Sequence, residues 1–266
     1  MTASSTPITP QTHRRPPVLL EARSAAEIAS MWLPLLSATL QPRQERDASP
    51  ILVAPGFGAD DSSTLALRQY LKGHGFRAEG WGLGRNLAGI DLPHELDDVP
   101  EHWAMSEKPD YRGEAAVVLL CERLIERVET RSHELEEPMT LLGWSLGGYL
   151  AREAARELPD LVDRVITLGS PVVGGPKYTA AASVFRQRGQ DLDWIEQEIE
   201  KREAKPIRQP ITAIYSRSDA IVSWPAAIDR FSEDVEHIEV SGSHLGMGFN
   251  PTVWRLVKDT LEGGAS

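Results

Sequence analysis

The stretch that decides the fold is Leu141-Leu142-Gly143-Trp144-Ser145-Leu146-Gly147-Gly148, near the middle of the chain. The apolar run that ends at Leu142 is typical of a short buried strand, and residues 149–158 follow the pattern of a helix. Glycines on both sides of the serine indicate a strand–helix turn too tight for a Cβ. Such a turn would present the Ser145 hydroxyl at its apex, with free N–H groups of the helix aimed at the same point. Taken alone, the stretch also fits a plain glycine-rich turn with an incidental serine.

Composition excludes some classes of function. The chain has 266 residues, which suits one large α/β domain or two small ones. Its net charge of −11 argues against a nucleic-acid surface, because phosphates require a basic stripe. The single cysteine, Cys121, lies in an apolar run and has no internal disulfide partner, so the chain does not require an oxidising compartment.

The first residues predict a tail rather than a targeting segment. Residues 1–17 are rich in Ser, Thr and Pro and carry no apolar signal-peptide core, so we expect a disordered tail over 1–20. The longest apolar-rich stretch, 28–40, is too short to span a bilayer, which takes about 20 residues. We therefore expect a cytoplasmic protein with no integral membrane segment.

An amphipathic helix is predicted after this tail. Ser24 and Glu27 have the spacing of a capping box, and apolar residues then recur at helical intervals. Pro34 should kink this helix or end its first part. We expect the helix to pack on the domain, with a dimer or lipid surface as the alternative.

The remaining chain, 21–266, alternates strands and helices in a way that predicts one α/β domain. The run 51–54 is a buried-strand pattern, a helical pattern follows it, and 76–81 is the next strand. A strand–helix–strand unit implies parallel pairing. Further strands are expected at 139–145, 163–169, 211–215 and 235–240.

Two segments interrupt this alternation. Residues 83–112 are predicted to be irregular, acidic and rich in proline, and a loop of such length is usually functional or mobile. Residues 171–206 are mostly helical and highly charged near their end. They would lie over the carboxyl ends of the strands as a lid-like insertion, or form a solvated surface excursion.

Three side chains on strand-end loops could act together. Ester hydrolysis by serine needs a nucleophile, an imidazole base and a carboxylate that orients the imidazole. Ser145, Asp219 and His244 each follow a separate predicted strand, where parallel sheets place their sites. They also occur in the order Ser, acid, His that goes with a serine on such a strand–helix turn.

These stretches resemble the lipase/esterase branch of the α/β-hydrolase superfamily over about residues 51–261. Gly143 to Gly148 matches the nucleophile elbow, and Pro55-Gly56-Phe57-Gly58 resembles the oxyanion loop, with Pro55 in place of the usual His. Residues 215–222 resemble the acid loop, and 242–244 the histidine loop. The resemblance implies an α/β-hydrolase fold: a mostly parallel central sheet, helices on both faces and a small helical lid. It also implies that the backbone amides of Phe57 and Leu146 form the oxyanion hole.

The expected reaction is hydrolysis of a small-molecule or lipid-like acyl ester through an acyl-enzyme. Trp144 and Trp81 could line an apolar acyl site, although buried tryptophan is more often core. An acyltransferase or a thioesterase would use the same triad, and a non-catalytic binding module is the remaining alternative. No metal or organic cofactor is implied, and the sequence does not predict an oligomeric state.

Overall fold

The computed structural model describes residues 9–40, 48–92 and 94–263, in which six strands form one sheet. All its pairings are parallel, and the strand order is β2-β1-β3-β4-β5-β6. The strands are β1 (Ile51–Ala54), β2 (Ala78–Gly80), β3 (Met139–Trp144), β4 (Val162–Leu168), β5 (Ile211–Tyr215) and β6 (Val235–Glu239). The predicted parallel sheet is therefore confirmed.

Helices cover both faces of this sheet. They are α1 (Ser24–Ser30), α2 (Trp32–Leu40), α3 (Leu65–Gly73), α4 (Ala116–Leu135), α5 (Leu146–Glu157), α6 (Ala182–Gln187), α7 (Leu192–Arg202) and α8 (Pro251–Leu261). Side chains of α4, α5 and α7 share one core with Leu52 and Leu141, whereas those of α2, α3 and α8 share another with Val53 and Leu142. Alternate residues of a strand thus enter opposite cores. Burial on both faces explains why the central strands are continuously apolar.

The predicted break in the first helix lies three residues earlier than expected. Helix α1 ends at Ser30 and α2 begins at Trp32, so Pro34 falls in the first turn of α2. Proline is tolerated there because its missing N–H would have no intrahelical acceptor. The predicted capping box does not form: Arg23 precedes α1 without a side-chain cap, and Glu27 instead bonds to Ser243.

Residues 9–20 differ from the predicted disordered tail, whose first eight residues lie outside the described part. His13 Nδ1 lies 2.9 Å from Ser223 Oγ, and Arg15 donates to the carbonyl oxygen of Ile221 at 3.1 Å. A short 3-10 helix, Val18–Arg23, follows. These polar groups give the segment partners on the loop after β5, which its composition did not indicate.

The two interrupting segments have different structures. The segment 83–112 is mainly irregular, with single 3-10 turns at Leu96–Asp98 and Glu101–Trp103. The insertion 171–206 is mostly helical, as expected, and contains α6 and α7. Within the described residues, no helix has both the length and the apolar character needed to cross a membrane.

Candidate active site

Ser145 lies in a strained turn between β3 and α5. Its φ of 55° and ψ of −124° fall in a region that side chains rarely occupy. Its N–H donates to the carbonyl oxygen of Leu168 at 2.8 Å, and its own carbonyl accepts from Gly148 N–H at 3.0 Å. Backbone strain of about 1–3 kcal/mol persists only where surrounding structure enforces it, as these two bonds do.

The glycines of the turn are required by close approach. A Cβ on Gly143 would collide with the backbone of Gly147, and a Cβ on Gly147 would collide with the carbonyl of Ala54. The start of α5 therefore lies directly against the ends of β1 and β3. The sequence-based prediction of a tight strand–helix turn at Ser145 agrees with this geometry.

His244 and Asp219 form a buried pair. His244 Nδ1 lies 2.7 Å from Asp219 Oδ2, and both side chains are almost fully buried. Asp219 Oδ1 accepts from the N–H groups of Ile221 and Val222 at 2.8 and 2.7 Å, which orients the carboxylate. Because an ionised carboxylate only accepts, Nδ1 must carry the proton, and Nε2 of the neutral ring is left as an acceptor.

The electrostatics of the pair favour a basic imidazole. Burial alone lowers the pKa of His244, but the Asp219 carboxylate and its hydrogen bond, together with the Glu21 carboxylate, outweigh it. The net result is a pKa above the ordinary value of 6.5. A ring with this property accepts a proton readily when it is neutral.

The loop after β1 is clamped by a residue that the sequence did not single out. Asn86 is fully buried, and its Nδ2 donates to the carbonyl oxygen of Pro55 at 2.8 Å. Its backbone oxygen accepts from Gly58 N–H at 2.7 Å. The Phe57 peptide lies between these two bonds, so Asn86 sets its orientation. No local pattern marks Asn86, since its partners lie about 30 residues away.

The two residues predicted to supply oxyanion donors belong to segments that adjoin Ser145. A Cβ on Gly56 would be 3.2 Å from Ser145 Cβ, so the loop carrying Phe57 contacts the turn. Leu146 is the first residue of α5, and its N–H therefore has no intrahelical acceptor. A helix N-terminus of this kind favours negative charge.

A pocket of about 250 Å³ opens at these residues. Its lining includes Ser145 and His244 together with Phe57 and Leu146. The remaining lining surface is mainly apolar and comes largely from the segments before α4 and from the insertion 171–206. The lining residues of the insertion are Pro171, Gly175, Pro176, Thr179, Ala181, Phe185, Gln190, Ile195 and Ile199. The insertion therefore forms one wall of the pocket; motion of this wall stays a prediction.

The two tryptophans expected at the substrate differ in position. Trp144 lines the pocket, and its Nε1 donates to the carbonyl oxygen of His244 at 3.2 Å. Trp81 is fully buried in the core, where its indole N–H donates to the carbonyl oxygen of Gly84 at 2.9 Å. It does not line the pocket. The expectation that Trp81 lines the site is therefore corrected.

Two glutamates near the chain start also reach the site, which sequence reasoning missed. Glu21 accepts from the N–H of His244, and Glu27 accepts from the N–H of Ser243. Glu27 has the spacing of a capping residue, but that pattern is purely local and does not indicate a partner on the histidine loop. Among the described residues, no three His, Cys, Asp or Glu side chains converge to hold a metal ion.

Comparison of the sequence with known proteins found one short match. The chain is 30% identical over 143 residues to the pimeloyl-[acyl-carrier protein] methyl ester esterase of Sodalis glossinidius (strain morsitans), across 52% of this chain and 48% of that protein. The matched region thus spans about half the length of the curated relative. No family model matches the chain.

Several solved structures share this architecture. Mouse alpha/beta hydrolase domain-containing protein 10 aligns with a TM-score of 0.51 at 18% identity, covering 84% of this chain and 91% of that chain. The carboxylesterase CesB (YbfK) of Bacillus subtilis gives 0.50 at 14% identity, covering 91% and 100%. The monoacylglycerol lipase of Paleococcus ferrophilus gives 0.52 at 15% identity, covering 81% and 96%. These likenesses, with the six-stranded parallel sheet and its two helical layers, show that the chain has the α/β-hydrolase fold.

Proposed function

We propose that this chain is a serine hydrolase of the esterase/lipase type, which cleaves carboxylic esters through Ser145, His244 and Asp219. The observation that carries the proposal is the buried 2.7 Å hydrogen bond between His244 and Asp219, beside the pocket that Ser145 also lines. The relative from Sodalis glossinidius, which matches over about half of its length, is described as a methyl ester esterase, and this supports the same class of reaction.

The mechanism is a two-step acyl transfer. His244 Nε2 takes the Ser145 proton as the hydroxyl attacks the ester carbonyl, and Asp219 holds the ring in the required tautomer. The amides of Phe57 and Leu146 receive the oxyanion; loss of one such donor costs about 3 kcal/mol of barrier in studied hydrolases. His244 then protonates the leaving alcohol and activates water, which releases the acid and regenerates the serine.

The pocket favours an uncharged acyl group. Among the described residues that line it, the one acidic side chain is that of Glu114. Its oxygens accept from the N–H groups of Arg112 and Asp191 at 2.6 and 3.1 Å. That carboxylate is therefore already engaged by the protein. Trp144 and Phe185 offer an apolar surface instead, which suits hydrocarbon chains of small-molecule or lipid-like esters.

Replacing the serine tests the proposal. We expect Ser145→Ala to lower kcat/KM for p-nitrophenyl esters by about 10⁴-fold or more, because the acyl-enzyme cannot form. Ser170→Ala is the matched control, since Ser170 is buried beside the turn but does not line the pocket. Circular dichroism checks that both variants are folded.

Covalent labelling identifies the nucleophile independently of the substrate. A fluorophosphonate should modify Ser145 in the wild-type chain and in Ser170→Ala, as mapped by peptide mass spectrometry. Unchanged esterase activity in Ser145→Ala, or a label on another residue, would contradict the proposal. Product analysis with added alcohols or thioesters separates ester hydrolysis from acyl transfer and thioester cleavage.

A further inference from the structure

The segment 13–27, here called the N-terminal clasp, crosses the two loops that carry Asp219 and His244. Glu21 lies in its 3-10 helix and is only 4% exposed. The Glu21 carboxylate accepts from Ala220 N–H at 2.9 Å, from His244 N–H at 3.2 Å and from Leu245 N–H at 2.9 Å. One side chain thus joins the residue after the acid to the histidine itself.

The buried carboxylate of Glu21 is fully hydrogen-bonded by the protein, as expected for a structural contact. A buried carboxylate is costly unless its oxygens are hydrogen-bonded, and here three backbone donors satisfy Glu21. Its partners lie 199 to 224 positions later in the chain. Arg15 and Arg23 of the clasp add bonds to the carbonyl oxygens of Ile221 and Ser218. The clasp therefore adds contacts to two loops that Ser216 also links, since its hydroxyl donates to the carbonyl oxygen of Gly242 at 2.8 Å.

We propose that Glu21 is a positioning residue, which holds the histidine loop against the acid loop so that the His244 ring stays on the Asp219 carboxylate. This inference rests on the proposed function, because the positioning matters for catalysis only if the His244–Asp219 pair acts there. Glu21 acts through the backbone of His244 and has no contact with the reacting atoms.

Glu27 provides a contrast within the same segment. It accepts from Ser243 N–H at 3.1 Å and from the Ser243 hydroxyl, one residue before the histidine. Within the described part of the chain its side-chain hydrogen bonds go to Ser243 and not to the acid loop, so it anchors one of the two loops. A substitution of Glu27 therefore weakens the anchoring of the histidine loop but keeps the link that Glu21 makes between this loop and the acid loop.

The charges that face His244 also distinguish the two glutamates. Asp219, on the loop after β5, and Glu21, on the clasp, both raise the pKa of His244 against the effect of burial, and Arg15 lies within electrostatic reach of Asp219. Glu27 makes no such contribution. Removing the charge of Glu21 should therefore lower the pKa of His244, and the acid limb of the pH profile should move to lower pH.

The test compares Glu21→Gln, Glu21→Asp and Glu27→Gln with the wild-type chain. In Glu21→Gln we expect the high-pH plateau of kcat to fall by about 10-fold to 100-fold, as when a catalytic group is displaced by about 1 Å. The acid limb of kcat/KM should shift to lower pH. Glu21→Asp keeps the charge but shortens the reach, so the plateau should fall while the limb stays in place. Glu27→Gln should leave the limb unchanged.

A measurement without turnover separates this inference from the proposed function. The pKa of the His244 ring is followed by ¹⁵N NMR, with its signals assigned by their absence in His244→Asn. We expect it to fall in Glu21→Gln and to stay constant in Glu27→Gln. Identical ring pKa and identical kcat plateau in wild type and both Glu21 variants would overturn the inference even if the wild-type chain cleaves esters. A wild-type chain that cleaves no ester would overturn the proposed function, while the ring pKa would still show whether Glu21 acts on His244.

Discussion

At the scale of single residues, the site is held largely by side chains that bind backbone rather than substrate. Asn86 bonds to the peptides around Phe57, and one oxygen of Asp219 accepts two N–H groups of its own loop. Glu21 does the same for the histidine loop. Peptide groups held in this way would need no rearrangement if charge developed at a bound ester carbonyl, and such preorganisation is a major source of catalysis in enzymes.

The raised pKa of His244 predicts the pH dependence of ester cleavage. Only the neutral ring can take the Ser145 proton, so protonation of His244 abolishes activity. Since the pKa of His244 lies above 6.5, kcat/KM should begin to decline on acidification at a pH somewhat higher than 6.5. It should then fall about tenfold for each further pH unit. A profile of kcat/KM against pH measures this midpoint. A midpoint clearly below 6.5 would show that burial outweighs the two carboxylates.

The candidate residues themselves could be predicted because their signals are local. Ser145, Asp219 and His244 each follow a strand pattern, and the carboxyl ends of parallel strands meet at one edge of the sheet. Glu21 and Asn86 give no such signal, because their roles depend on partners distant in sequence. The sequence does not decide the position of Trp81 for a related reason: an aromatic side chain after a strand fits a pocket wall and a core equally well.

At the scale of secondary structure elements, helix α5 joins the serine turn to the insertion. Its N-terminus follows Ser145, while Arg152 and Arg156 are buried on its body. Arg156 lies 3.3 Å from Glu153 and 3.1 Å from Glu203, and it donates to the carbonyl oxygen of Arg202 at the end of α7. These ion pairs fix the far end of the insertion against the helix that begins after Ser145.

Breaking this network should cost stability. Arg156→Met removes one cation, but Glu153 keeps Arg202 as a partner and Glu203 keeps Arg152. We therefore expect the free energy of unfolding to fall by about 1–3 kcal/mol, from the lost charged hydrogen bonds. Urea denaturation at neutral pH measures the change from the midpoint, provided that the m-value is constant. Arg188→Met, at an exposed position of the insertion, is the control and should change stability by less than about 0.5 kcal/mol. Equal effects of the two substitutions would contradict a structural role for the buried pairs.

At the scale of the whole molecule, the pocket forms where the insertion meets the carboxyl edge of the sheet. The strand order and the two helical layers follow from the strand–helix alternation, which is why the fold was predictable. The shape of the pocket was not, because it depends on how α6 and α7 pack against the segment before α4. Phe185 of α6 illustrates this: its ring lies 6.0 Å from that of Phe57, so the insertion contacts the loop expected to hold the oxyanion.

This contact makes Phe185 the residue through which the insertion should set acyl-chain selectivity. Its side chain is 9% exposed and lines the pocket, so Phe185→Ala should enlarge the cavity beside Phe57. We expect the ratio of kcat/KM for long-chain to short-chain p-nitrophenyl esters to rise by about tenfold, since a methylene in an apolar pocket changes discrimination by about 1–3 kcal/mol. Val184→Ala is the matched control, because Val184 is 44% exposed on the same helix and does not line the pocket. Fluorophosphonate labelling of Ser145 should proceed in both variants. A chain-length profile in Phe185→Ala that matches the wild type would mean that the insertion covers the site without selecting the acyl group.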